Sequence, residues 1–188
     1  MGTTGWIILG VIVVVVIYLI SLYNRLVSLR QTVSQSWSDI SVQLKQRHDL
    51  IPNLVETVKG YAAHESGTLE AVVQARNAAL SASGPEAQAK AENMLTGALR
   101  QIFALSEAYP DLKANQNFLE LQTELSDIEN KIAASRRFFN NAVQEYNTSI
   151  EQFPAVLIAN RFAFTAREFF ELDEAEQAAV EAAPQVKF

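Results

Sequence analysis

Few residues in this chain have the types and spacing that chemistry needs. There is no cysteine, which excludes disulfides, thiol nucleophiles and thiolate-ligated metal sites together. The two histidines, His48 and His64, lie on opposite sides of Pro52, and His64-Glu65 is a bare dipeptide rather than a zinc-binding H-E-x-x-H. Two histidines without a clustered third ligand predict no metal centre, and His48, within Arg47-His48-Asp49, reads as a surface or hydrogen-bonded residue rather than a catalytic one. Phosphate-binding glycine loops and the serine-hydrolase elbow are missing, so the chain is expected to be neither an enzyme nor a cofactor binder.

Residues suited to contact are more plentiful. Trp37 falls in a helical apolar stripe, which favours a core role over ligand binding. Arg136 and Arg137 beside Phe138-Phe139 fit a lipid-headgroup or partner patch, against the plainer reading of arginines on a solvated flank. Phe162 and Phe164 have strand-like spacing and predict an extended segment, with Phe169 and Phe170, either wrapped over the end of the fold or offered to a neighbour. Phe188 closes the chain as a further candidate contact.

The elements that carry these residues are helices. Seven glycines and five prolines in 188 residues are about half the usual share of breakers. From Met1 to Asn24 no side chain is charged, and Trp6 to Leu22 is almost wholly apolar. About 20 such residues cross a bilayer core of roughly 30 Å. Trp6, Tyr18 and Tyr23 are placed as interfacial aromatics, with Arg25 and Arg30 following closely. The start lacks the basic n-region and small-residue cleavage site of a signal peptide, so a retained anchor is expected. The positive-inside rule then puts the N-terminus outside and residues 25–188 in the cytoplasm.

Leu22, Leu26, Leu29, Val33, Trp37, Ile40 and Leu44 keep helical spacing with no intervening Gly or Pro, so the span is expected to run directly into the first helix of the domain. Pro52 predicts a kink or boundary, and His64 to Gly67 a turn in which Gly67 is able to take a left-handed conformation. A second, alanine-rich stretch covers residues 68–108 and is interrupted at Gly84-Pro85; Tyr109-Pro110-Asp111 ends it. The third, from Asn115 to Phe153, would be about 58 Å long; its apolar residues alternate spacings of three and four from Phe118 to Phe153, which calls for packing along partner helices. The expected fold is all-α: a single N-terminal transmembrane helix continuing into an antiparallel bundle of long helices, three stretches or four helices. Residues 1–24 form the anchor, 25–160 the bundle and 161–188 an aromatic and acidic tail. The three-stretch geometry predicts Pro110 near the membrane and Phe153 far from it.

The net charge of −6 is local. Residues 168–183 hold six acids and no base, which leaves residues 1–167 with 15 acids against 14 bases. So balanced a body lacks the basic stripe that nucleic-acid binding requires. The acids read as a solvated tail, with docking to a basic partner as the second reading.

The stretch YNRLVSLRQTVSQSWSDISVQLKQRHDLIPNLVETVKGYAAHESGTLEAVVQAR from Tyr23 to Arg76, the stretch RRFFNNAVQEYNTSIEQFPAVLIA from Arg136 to Ala159, and the endings FFELDE and PQVKF resemble the LemA family of bacterial membrane proteins. The likeness covers about four fifths of the chain and is looser over residues 81–115. It implies one N-terminal anchor in the cytoplasmic (inner) membrane and a helical bundle, and it carries over no catalytic residue. Through a related magnetosome protein it implies a role in shaping membrane, and through members encoded beside a heat-shock membrane metallopeptidase, such a peptidase as partner. Residues and resemblance together predict a scaffold that forms homo-oligomers on the lipid bilayer; the alternative is an adaptor presenting partners to a metallopeptidase or signalling protein.

Overall fold

The structure is a computed structural model that describes residues 2–171. The expectations for Phe188, for the acids from Asp173 onward and for the PQVKF ending lie outside the described residues. Those residues hold six helices and no strand: α1 (Thr3–Lys59), α2 (Ser66–Ser81), α3 (Pro85–Ser106), α4 (Pro110–Lys113), α5 (Gln116–Glu151) and α6 (Ala155–Arg161). They divide into two compact units. One holds the residues up to Asp39 with Arg137–Arg167, the other Ile40–Arg136 with the residues from Glu168.

α1 continues without interruption from the apolar segment into the stripe, as the absence of breakers predicted. It also passes through Pro52, so this proline marks no helix boundary. A helix-interior proline costs about 3 kcal/mol. Ile51, Leu54 and Val58 on either side of it are fully buried, and burying each contributes roughly 1.5–3 kcal/mol, so packing outweighs the lost hydrogen bond.

In the unit from Ile40 to Arg136, that part of α1 packs with α2, α3, α4 and α5 around one core. Ile51, Leu54 and Val58 meet Leu69 and Val72 of α2, Leu95, Leu99 and Ile102 of α3, Leu112 of α4, and Phe118 and Leu125 of α5. Buried Ala75 and Ala79 of α2, with Ala91 and Ala98 of α3, keep side-chain bulk low where these helices pack together. The turn before α2 comes earlier than predicted, closing on Val58 through the amides of Tyr61 (3.0 Å) and Ala62 (2.8 Å). Gly67 therefore lies inside α2 rather than in a left-handed turn. The glycine that needs its freedom is Gly84, at φ 86° and ψ 160°, a region closed to side chains, with Pro85 at the first position of α3. The interruption expected at Gly84-Pro85 is thus a short loop, residues 82–84, between two helices. Pro110 opens the one-turn α4, and Asn115 Oδ1 caps α5 by accepting from the Phe118 amide at 3.0 Å.

In the other unit, the predicted α5 seam holds through Phe139, Ala142, Tyr146 and Ser149, all buried. Phe153 does not continue it. α5 ends at Glu151, and Phe153, 80% exposed, precedes a cis peptide to Pro154. Phe162 and Phe164, just beyond α6, pack edge-on against Tyr23 at the end of the uncharged segment, with ring centroids 5.0 and 5.8 Å away.

Candidate functional sites in the two units

The first site is a buried charge cluster in the Ile40–Arg136 unit. Arg47 and His48 of α1 and Gln88 and Glu92 of α3 are all buried. Arg47 Nη1 donates to Glu92 Oε2 at 3.2 Å, while its Nη2 reaches Thr96 Oγ1 at 2.7 Å and Glu129 Oε2 of α5 at 2.8 Å. His48 Nε2 meets Glu92 Oε1 at 2.7 Å, and Gln88 Nε2 donates to the same oxygen at 2.9 Å and to Ala79 O at 3.0 Å. Arg76 Nε of α2 donates to His48 O at 2.8 Å. The cluster therefore bonds groups from α1, α2, α3 and α5.

Its chemistry is that of a fastener. Three donors converge on the Glu92 carboxylate, and Arg47 is shared among three acceptors, so the charges are matched and bonded rather than held ready for a substrate. A cleft of about 300 Å³ opens beside it, lined by Arg47, Thr96, Arg100, Ser126, Glu129 and Asn130 over an apolar floor of Leu99, Phe103 and Leu125. No group of three metal-ligating side chains occurs among the described residues.

His48 was expected to be a surface or hydrogen-bonded residue; it is the latter, and buried. The partners of the cluster were not foreseen. A signal was present: Gln88, Glu92, Leu95, Leu99 and Ile102 share one seam, and two polar residues on an apolar seam must find partners.

The second site lies at the other unit's membrane-proximal end. α1 is the helix among the described residues that is long and apolar enough to cross a membrane, and none of its apolar window is buried, unlike the core helix of a soluble protein. Trp6 and Tyr18 are exposed along it; Arg25 is exposed at its end. Tyr23 is half-buried under the two phenylalanines, and the Arg30 guanidinium stands 5.0 Å from the Phe164 ring centroid, a cation–π distance. Asn147 of α5 fixes the segment that follows, its Nδ2 donating to Arg167 O at 2.9 Å and its Oδ1 accepting from the Arg167 amide at 2.8 Å.

The remaining candidates separate by burial. Trp37 is half-buried against Phe139, with ring centroids 5.4 Å apart. Arg136 is half-buried and engaged, Arg137 exposed. Phe164 and Phe170 are buried, Phe169 is half-buried and Phe162 is exposed beyond its contact with Tyr23. The segment from Phe164 to Glu171 has no regular secondary structure, and two of its three rings are packed away.

The hydrogen bond and charge of Lys45 hold Asp49 below the usual aspartate range, and Lys90 does the same for Glu86; each pair is 2.6 Å apart. The hydrogen bond from Tyr109 to Glu65 (3.1 Å) raises the phenol's pKa.

The family model described as LemA family matches residues 36–188. The chain is 25% identical over 174 residues to magnetosome protein MamQ of Magnetospirillum gryphiswaldense, covering 79% of this chain and 64% of that protein. It is 26% identical over 162 residues to protein LemA of Metamycoplasma hominis, covering 84% and 73% respectively. Magnetosome protein MamQ 2 of Paramagnetospirillum magneticum is 24% identical over 175 residues. The chain thus spans less than two thirds of the MamQ relatives, and none of these names denotes an enzyme.

Proposed function

The chain belongs to the LemA family, and on that premise we propose that it is a membrane-anchored helical scaffold that assembles with itself and organises or remodels the bilayer holding it. The observation that carries this reading is α1. One helix supplies both the unburied apolar segment and the buried stripe of Leu26, Val33, Ile40 and Leu44, with no linker between them. Motion of the membrane span is therefore coupled directly to the folded domain, which a flexible tether would prevent.

The body is an antiparallel bundle standing in the cytoplasm, with the N-terminus outside. Within one unit, residues ascending α1 from Tyr23 to Trp37 meet partners descending from Phe164 and Phe162 to Phe139, which supports that arrangement. Val42, Leu80, Met94, Leu119 and Phe138 are exposed large hydrophobics that a second copy would cover. The resemblance to magnetosome proteins supports a membrane-organising role. A metallopeptidase adaptor is the weaker reading, because the burial of Phe164 and Phe170 withdraws two rings from the surface it would offer.

Sedimentation of the full-length protein in detergent across a wide concentration range tests self-assembly. A mass that rises with concentration to a defined oligomer is expected. A strict monomer throughout would end the scaffold reading.

A further inference from the structure

We propose that the segment 153–162 is a second, interfacial lipid contact, dipping into the same leaflet beside the exit of the transmembrane helix. Three large apolar side chains stand out to solvent there: Phe153 (80% exposed), Leu157 (63%) and Phe162 (57%). Between them α6 turns Ala155, Ile158 and Ala159 inward, so one side of this short helix is fixed in the fold and the other presents Leu157. Such an arrangement is amphipathic in the sense that suits a membrane surface.

The height of the segment follows from contacts within its own unit. Trp37 of α1 touches Phe139 of α5. From Phe139 to the end of α5 at Glu151 is twelve residues, and from Trp37 back to Arg25 is also twelve, so each helix advances about 18 Å. The end of α5 therefore reaches the level of Arg25, where the uncharged segment stops. The ring of Phe162 against Tyr23, at 5.0 Å, fixes the other end of the segment at the same level. The exposed side chains at 153, 157 and 162 thus stand near the level at which the apolar segment of α1 ends.

Charge agrees with that occupant. Arg25 and Arg161 are exposed and Arg30 is half-buried at this end, while Glu151 is the one acid from Tyr146 to Arg161. An anionic lipid surface attracts such a rim, and burial of the three apolar side chains supplies the remainder. The proposal rests on membrane anchoring through α1 but not on self-assembly.

The absence of cysteine makes the test clean. Full-length Leu157→Cys and Phe153→Cys variants, labelled with an environment-sensitive fluorophore, are reconstituted into phosphatidylcholine–phosphatidylglycerol vesicles with or without a mixture of lipids spin-labelled near the headgroup and along the acyl chain. Thr123→Cys, at an exposed site of α5, serves as the solvent reference and Val13→Cys as the reference for the span. Labels at 153 and 157 are expected to lose about twofold more emission than the label at 123, as suits groups about 5–10 Å into the interface. Quenching at 157 no greater than at 123, with 13 quenched, overturns the interfacial contact and leaves the anchor standing. A label at 13 that is not quenched overturns both. An unquenched Leu157→Cys that instead forms disulfides between copies assigns this face to a second protomer and also overturns the proposal. Circular dichroism of each variant is expected to match the parent, since the side chains replaced at 153 and 157 point outward.

Discussion

The two units of this chain are held together by different physics. In the Ile40–Arg136 unit, an alanine-rich α2 and α3 supply little apolar volume per residue, and a buried charge cluster fastens α1, α2, α3 and α5 to one another. In the unit up to Asp39 with Arg137–Arg167, the contacts around Tyr23 are aromatic edges and a guanidinium over a ring, close to solvent. The first kind of contact is brittle, because each buried charge depends on its partners. The second is graded, because losing one ring or cation leaves neighbouring groups free to rehydrate. Under the proposed role, a fastening that fails all at once suits a part that keeps its shape, and one that loosens by degrees suits a part that would meet a deformable bilayer.

This contrast is breakable by experiment. The largest effect is expected from Glu92→Ala, which leaves Arg47 buried with only the half-exposed Glu129 as counter-charge, removes the carboxylate that His48 Nε2 meets and leaves Gln88 Nε2 with Ala79 O alone. Breaking one side of a buried pair costs about 3–5 kcal/mol. Urea unfolding in detergent micelles measures the loss, and hydrogen exchange should locate it within residues 40–136. Adding Arg47→Met to Glu92→Ala removes the orphaned charge and should recover part of the loss. A double variant as unstable as the single one would show that the cation is not what makes the cluster brittle.

A smaller effect is expected in the other unit. Arg30→Ala removes the cation over Phe164, a contact worth about 0.5–1 kcal/mol at such a site. Faster exchange of the amides around residues 162–167, without a change in global unfolding, is the expected signature. Global destabilisation as large as that of Glu92→Ala would erase the distinction between the units.

The smallest effect is electrostatic and exposed. Asp49 and Glu86 have folded-state pKa values below their ordinary 3.8 and 4.5. Their contributions are therefore fully present above those ordinary values and fade as the pH falls through the lowered folded ones. In Lys45→Met the acid limb of a stability-versus-pH curve should flatten slightly, with neutral-pH stability almost unchanged, as expected of an exposed pair.

The sequence alone determined much of this molecule. The helix long enough to span a bilayer was legible because length and the absence of charge are local properties. The α5 seam was legible because a three-four spacing depends only on the geometry of one helix. The same locality explains the errors. Pro52 announces a break, but Ile51, Leu54 and Val58 bury themselves around it; Gly67 offers a turn that Tyr61 and Ala62 have already made. Phe153 fits the seam on paper, yet the helix stops before it.

Periodicity reports which face of a helix is buried and is silent on what the face meets. That Arg47 would find Glu92, 45 residues on, and that Tyr23 would rest under Phe162 and Phe164, only the tertiary structure decided. Such pairs exist because separate seams must close on one another, and which seam closes on which is a property of the whole chain rather than of any one segment.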